Sequence, residues 1–215
     1  YAYQTEDRDD GLIYRFKPKN SKNYTLGGQL QALSISKPDT RNWEFLSVAA
    51  GEWYDARWID LDNVYSHNDD LRYRGAEKGA SIFARPEGIW YDKRKVYFTC
   101  TSGGVKKIGQ IWEYDISNRQ VRLLFEPNDS RVMRKCDNIT ISPWGDIIIC
   151  EDGRGKDRII GIKENGTSYT IAENSLNSSE FAGVCFSPDG NIMFVNIYSP
   201  TMTIAIRGNF SKLQI

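Results

Sequence analysis

The 215-residue sequence predicts an all-β fold, a β-propeller of which about four blades are visible. Three segments share one plan: a small or acidic start, alternating apolar positions, a tight polar turn and a strongly apolar strand. They cover residues 86–104, 136–154 and 182–200. Further strand pairs follow the first two segments, so four short strands recur every 45 to 50 residues, which is typical of propeller blades. The sequence has no sustained stripe of helical period.

Several structural units follow from this repeat. We expect one propeller portion over 1–215, made of a partial blade (1–35), an insertion (36–80), two blades (81–130 and 131–176) and a final blade cut near its end (177–215). An ordered insertion of this length is usually functional. It could cover the channel mouth, meet a partner, or be a solvated loop held by its own aromatic residues.

The first unit matches the tail of a blade. YAYQTEDR at 1–8 parallels IIICEDGR at 147–154, an apolar strand that ends in Glu-Asp, so the innermost strand of this blade is missing from the sequence. The chain also begins with Tyr rather than Met. Because closure removes exposed sheet edges, we expect the C-terminal portion of a larger propeller. The missing blades would come from the rest of the chain or from another chain.

Charge and composition narrow the possible functions. Lys plus Arg and Asp plus Glu both total 28, which gives no support for a nucleic-acid partner. No apolar run approaches the roughly 20 residues of a membrane span. A single histidine, His67, and no CxxC pair argue against zinc and weaken a Ser-His-Asp triad. Cys100, Cys150 and Cys185 lie in apolar runs and are expected to be buried free thiols.

Acidic residues fall at matching places in the repeat. Glu87 and Asp137 begin two innermost strands at one mouth of the channel, and Gly183 or its neighbour takes the third place. The ends of the following strands and nearby amides add further oxygen atoms, from Glu6, Asp7, Glu151, Asp152, Asn138 and Asn196. Converging carboxylates raise each other's pKa unless a counter-charge is present. Oxygen ligands with almost no histidine favour a hard cation, first Ca²⁺ and then Mg²⁺ or iron.

A structural alternative to a metal site stays open. The same acids could form ion pairs with arginines near the strand ends, namely Arg8, Arg85, Arg154 and Arg158. A Glu-Asp pair near an arginine at the end of a strand is common, so the pattern alone does not choose between the two.

Four stretches together carry a family resemblance. They are TEDRDDGLIYRFKP (5–18), RPEG (85–88), CDNITISPWGDIIICEDG (136–153) and EFAGVCFSPDGNIMFVNIYSPTMTIAI (180–206). In this order they resemble the PhoX-type alkaline phosphatase family. The resemblance implies a six-bladed propeller that hydrolyses phosphomonoesters at alkaline pH, with calcium and iron in its channel. It also implies an exported, secreted or periplasmic protein.

The resemblance also implies roles for individual residues. Arg85 would bind the phosphate, because a guanidinium fork matches phosphate oxygens, and Glu87 would join it in catalysis as a metal ligand. The remaining metal ligands would be Glu6, Asp7, Asp137 and Glu151. Asn138, Asp152 and Asn196 would contact the metal ligands rather than the metal itself. None of the four cysteines lies in the family's iron-binding cysteine motif, so calcium is better supported than iron.

Two other functions remain as alternatives. A calcium-dependent lactonase or esterase propeller also places a Glu and Asn residues around a channel calcium, but a lactone needs no guanidinium such as that of Arg85. A non-catalytic propeller, serving as a structural or binding module, would have no reason to keep a ring of acids.

Overall fold

Residues 1–214 are described by a computed structural model, and they form sixteen short strands in four antiparallel sheets. The last residue of the expected 177–215 unit, Ile215, lies outside the described residues. We call the sheets blades I to IV in chain order. The four blades form an open arc rather than a closed ring. No helix within residues 1–214 is long and apolar enough to cross a membrane.

The strands have the following bounds. Blade I contains β1 (Ala2–Thr5), β2 (Ile13–Pro18), β3 (Gly28–Ser34) and β5 (Arg57–Asp60). Blade II contains β4 (Trp53–Asp55), β6 (Pro86–Asp92), β7 (Lys95–Cys100), β8 (Gln110–Asp115) and β9 (Gln120–Phe125). Blade III contains β10 (Cys136–Ile141), β11 (Ile147–Glu151), β12 (Arg158–Ile162) and β13 (Ser168–Glu173). Blade IV contains β14 (Phe181–Phe186), β15 (Ile192–Ile197) and β16 (Met202–Arg207).

Turn chemistry forms the inner hairpins of blades III and IV. In the first, Gly145 takes a φ of +99° and the Ser142 hydroxyl accepts the amide of Asp146 at 2.9 Å. In the second, Gly190 takes a φ of +71° and the Ser187 hydroxyl accepts the amide of Ile192 at 3.0 Å. Glycine is suited to these positions because a left-handed backbone costs it little. The turns fix the register in which the apolar strands pair.

The 36–80 segment is built into two blades. Its β5 pairs with β3 as the outer strand of blade I, and its β4 pairs with β9 as the outer strand of blade II. A seven-residue helix, α1 (Leu71–Glu77), follows. Within this segment only residues 56–61 have a clean strand pattern in the sequence. The other strand, β4, has none because it is only three residues long and largely exposed.

The innermost strands lie side by side. β6 contacts β10, β10 contacts β14, and β1 contacts β6. Thr5 on β1 donates its hydroxyl to the carbonyl of Glu87, and Thr99 on β7 donates to the carbonyl of Asp137, both at 2.5 Å. β1 therefore stands to β6 as β7 stands to β10, which is the position of a second strand. Separate apolar clusters fill the joints between blades I and II, II and III, and III and IV.

Three cysteines are buried free thiols, namely Cys100, Cys136 and Cys150. The expectation of burial is wrong for Cys185, which is exposed. On β14 the apolar side chains of Phe181 and Val184 face the core, so Cys185 next to Val184 faces outward.

Candidate active site

Each innermost strand starts in the same way. A charged residue stands directly before the strand, and its carbonyl accepts an amide hydrogen from the residue that follows the second strand. The three pairs are Arg85 with Thr101 at 3.0 Å, Lys135 with Asp152 at 2.8 Å, and Glu180 with Tyr198 at 3.2 Å. A β-bulge then interrupts the pairing near the start of each strand. Bulges bend a strand and re-aim its side chains, and here they bring charged groups to one end of the blades, which we call the channel mouth.

Four carboxyl groups meet at the channel mouth in two hydrogen-bonded pairs. Asp137 is hydrogen-bonded to Glu87, and Glu180 is hydrogen-bonded to Asp152. Burial first, then the hydrogen bond and charge of Glu87, raise the pKa of Asp137 to about 9. Burial and the charge of Asp152 also raise the pKa of Glu180. We call Glu87, Asp137, Asp152 and Glu180 the acid cluster.

A glycine permits the contact between the first two acidic strands. A Cβ atom added to Gly88 would clash with the carbonyl oxygen of Asp137 and would stand 2.9 Å from Cα of Asn138. Without a side chain at residue 88, β6 and β10 approach closely enough for Glu87 and Asp137 to pair.

Arg85 lies directly beside the acid cluster. Its φ is +51°, and its Nε donates to one Asp7 carboxylate oxygen at 2.9 Å. Its Nη2 stands 2.7 Å from Oε1 of Glu87, which also accepts the hydroxyl of Thr101 at 2.7 Å. The hydrogen bond to Asp7 raises the pKa of Arg85, with smaller contributions from the charges of Glu87 and Asp152. The guanidinium is therefore a fixed positive charge, and its side chain keeps 31% of its surface exposed.

Lys135 is the second cation of the channel mouth. Its ammonium donates to the hydroxyl of Ser102 at 3.2 Å. Burial lowers the pKa of Lys135, and the positive charge of Arg85 lowers it further.

Glu151 lies in a buried arginine network. Its carboxylate is fully buried and accepts Arg158 Nη2 at 2.7 Å and Nε at 2.8 Å. The backbone amide of Arg134 donates to it at 2.8 Å. Glu151 thus has the arginine pairing that the sequence left open as an alternative to a metal role.

Glu6 occupies the equivalent place on blade I. Its carboxylate accepts the hydroxyl of Tyr14 at 2.6 Å and stands 3.6 Å from Arg72 Nη1. Its side chain keeps 22% of its surface exposed, unlike that of Glu151. Glu6 also directly follows Thr5, whose hydroxyl binds the carbonyl of Glu87.

The two asparagines proposed from the sequence serve as links between strands. The Asn138 side-chain oxygen accepts the amide of Val184 at 3.2 Å and so joins β10 to β14. The Asn196 side-chain oxygen accepts the hydroxyl of Thr203 at 2.7 Å, within blade IV. The structure does not bring either amide into the acid pairs.

Sequence reasoning missed Glu180 and Lys135. A signal for both exists in the repeat, since Lys135-Cys136-Asp137 and Glu180-Phe181-Ala182 align with Arg85-Pro86-Glu87. A comparison of the acidic residues alone does not find this pattern, because the residue directly before the innermost strand is basic in blades II and III and acidic in blade IV.

The donor set of the acid cluster fits a hard cation in its chemistry. Facing carboxylates need either a shared proton or a cation, and oxygen ligands suit calcium. Within residues 1–214, however, no three His, Cys, Asp or Glu side chains already stand close enough to hold an ion together. A cavity of about 540 Å³ between blades II and III lies at the opposite ends of the strands, beside Asp92 and Gly145, and contains none of the acid cluster.

Comparison with known families gives a match over most of the chain. Residues 1–201 match the family described as alkaline phosphatase PhoX. The chain belongs to the PhoX alkaline phosphatase family. A comparison with curated protein sequences gave no match.

Among solved structures, PhoX from Pseudomonas fluorescens in complex with vanadate, a transition state analogue, superposes on this chain with a TM-score of 0.71 at 17% identity. The match covers 95% of this chain and 50% of that one, so this chain spans about half the length of the PhoX structure. It confirms the predicted β-propeller fold. Virginiamycin B lyase from Staphylococcus aureus matches at a TM-score of 0.37 and 19% identity, over 58% of this chain and 41% of that one.

Proposed function

We propose that this PhoX-family protein is a metal-dependent phosphomonoester hydrolase of the alkaline phosphatase type, whose site is the channel mouth. The observation that carries the proposal is the position of Arg85. Two carboxylates, Asp7 and Glu87, hold its guanidinium directly beside the acid cluster. A fixed guanidinium next to paired acids suits an anionic substrate bound beside a cation.

Arg85 would bind the phosphoryl oxygens. Its Nε and Nη2 are taken by Asp7 and Glu87, while Nη1 has no partner within the described part of the chain. A guanidinium presents planar N–H pairs that match phosphate oxygens. Because Asp7 fixes the orientation of the side chain, little entropy would be lost when the substrate binds.

The acid cluster would hold Ca²⁺, with Glu6 and Asp7 as further ligands from blade I. A bound cation would stabilise negative charge on the transferring phosphoryl oxygens. We infer a structural role for Glu151, because arginines already bind its buried carboxylate. Fe³⁺ remains part of the proposal, with the same carboxylates as its ligands.

We propose that further blades complete the propeller, and that the protein is exported and acts in the periplasm or outside the cell. The substrate class would be phosphate monoesters. Neither nucleic-acid binding nor a lactone substrate requires this arrangement of Arg85 and acids.

The test is the metal content of the purified protein together with its hydrolysis of p-nitrophenyl phosphate before and after chelation. We expect bound calcium, activity that chelation removes, and recovery when calcium is returned. Arg85→Gln should lower activity by about 100-fold or more, as loss of a charged transition-state contact does. Arg94→Gln, which removes an exposed arginine bonded to Ser117 far from the acids, is the matched control. Activity that is unaffected by both chelation and Arg85→Gln would refute the proposal.

A further inference from the structure

We propose that Lys135 is a second phosphate-binding residue, and that Lys135 and Arg85 together select doubly charged phosphate monoesters over singly charged diesters. This inference rests on the proposed function, because it concerns the same channel mouth. It adds a residue and a substrate charge that neither the family match nor the sequence motifs assigned.

Lys135 repeats the backbone position of Arg85 one blade further on. Both residues stand two positions before a paired acid, Glu87 or Asp137. Both have a positive φ, +51° for Arg85 and +48° for Lys135, and both carbonyls accept the amide of the residue that directly follows the next strand. The two side chains therefore leave the backbone in equivalent ways at adjacent strand starts.

The partners of the two cations differ in an informative way. Arg85 is held by the carboxylates of Asp7 and Glu87, whereas Lys135 has no carboxylate within ion-pair distance in the described chain. Its ammonium binds only the neutral hydroxyl of Ser102, at 3.2 Å. An ammonium has three donors, so at least one hydrogen remains for an anion. A partly buried cation without an ion-pair partner is costly unless an anion compensates it.

The charge of the two cations suits a dianion. Arg85 and Lys135 repel each other, and both interact electrostatically with Asp152. A phosphate monoester brings two negative charges, one for each cation, whereas a diester brings one and carries an extra substituent. Pairing both cations requires the second charge, so the arrangement discriminates by charge as well as by size.

The experiment measures binding of inorganic phosphate by calorimetry, and hydrolysis of p-nitrophenyl phosphate and bis-p-nitrophenyl phosphate. The variants are Lys135→Gln, which removes the charge, and Lys135→Arg, which keeps it. Lys93→Gln is the control, because it removes an exposed lysine in the turn at the opposite end of β6. Thermal unfolding of each variant shows that it is folded.

We expect Lys135→Gln to weaken phosphate binding by about 10-fold to 100-fold, the usual cost of a charged hydrogen bond. The KM for the monoester should rise by a similar factor, and the preference for monoester over diester should fall. Lys135→Arg should keep most of the affinity, and Lys93→Gln should change nothing.

The outcomes separate the inference from the proposed function. Hydrolysis by the wild type with unchanged phosphate affinity in folded Lys135→Gln overturns the inference and leaves the function standing. Phosphate binding that depends on Lys135, without hydrolysis of any ester, supports Lys135 as an anion-binding residue and refutes the hydrolase. A wild type that binds no phosphate overturns the inference.

Discussion

Two glutamates of the repeat have different roles because their neighbouring residues differ. Glu87 and Glu151 are both glutamates at strand ends of the repeat. Glu87 is hydrogen-bonded to Asp137 and faces Arg85, whereas Glu151 is buried between Arg134 and Arg158. Sequence comparison could find both glutamates because their strands are apolar and regular. It could not assign their partners, because Arg134 and Arg158 reach Glu151 from the loop before β10 and from the next strand.

The buried pairing of Glu151 predicts a structural effect. Glu151→Gln should reduce the free energy of unfolding by about 3–5 kcal/mol, because Arg158 would keep a buried charge without its partner. The loss should be the same with and without calcium, as measured by urea unfolding. Glu173→Gln, at an exposed pair with Lys156, should cost less than about 1 kcal/mol. A Glu151→Gln variant of wild-type stability that binds less calcium would indicate a metal ligand instead.

The raised pKa of Asp137 predicts a pH dependence of stability. The folded protein keeps a proton on Asp137 up to about pH 9, while an unfolded chain releases it near the ordinary value of 3.8. The folded state therefore binds more protons between these values, and the free energy of unfolding should fall as the pH rises through this range. One proton contributes at most about 1.4 kcal/mol per pH unit.

Urea unfolding in the presence of a chelator, between about pH 5 and about pH 8, tests this dependence. Asp137→Asn should flatten the decline in stability. Asp129→Asn is the control, because Arg131 lowers the pKa of that carboxyl to about 2 and it does not titrate in this range. An equal slope in wild type and Asp137→Asn would show that the carboxyl is not protonated in the folded protein.

At the scale of elements, the acid cluster depends on how closely two strands approach. β6 and β10 meet at Gly88, where a Cβ atom would clash with the backbone of β10. The sequence predicts both strands through their alternation and turns. The sequence does not predict the close approach, because it depends on contacts between strands that are distant in the chain. In the sequence alone, Gly88 is recognisable only as part of the RPEG motif.

Gly88→Ala should separate β6 from β10. Forced contact with backbone atoms should cost about 1–3 kcal/mol in unfolding free energy. It should also reduce calcium and phosphate binding, because Glu87 would move away from Asp137. Gly208→Ala is the matched control, since its Cβ would meet only the Phe210 ring, 3.5 Å away. Wild-type stability and binding in Gly88→Ala, measured by urea unfolding and calorimetry, would show that the contact is not required.

The outer strands show where sequence reasoning ends. β11 is five buried residues long and its pattern is unmistakable, whereas β4 is three residues long and largely exposed. Short outer strands gain their structure from a neighbouring sheet edge. Local sequence therefore does not specify them, and the 36–80 segment is assigned to blades I and II only by its pairing with β3 and β9.

At the scale of the whole molecule, the acid cluster joins three blades. Glu87 belongs to blade II, Asp137 and Asp152 to blade III, and Glu180 stands before the first strand of blade IV. The repeat made the fold class and most of these positions predictable. Glu180 was not predicted, because the residue directly before the innermost strand is basic in the two preceding blades.

Calcium should therefore stabilise the folded molecule as a whole. A ligand at 100 times its Kd adds about 2.7 kcal/mol to the free energy of unfolding. Glu180→Gln should lose most of this gain, whereas Glu164→Gln, in the exposed turn of blade III, should keep it. Thermal unfolding at several calcium concentrations measures the effect, and a Tm independent of calcium in the wild type would contradict it.

The most direct test of a phosphatase site at the channel mouth is a crystal structure of the protein with calcium and inorganic phosphate. We predict a cation bound by carboxylates of the acid cluster and a phosphate bound to the guanidinium of Arg85. Carboxyl pairs that remain hydrogen-bonded to each other, with no phosphate at Arg85, would contradict the account and identify the acids as a structural network.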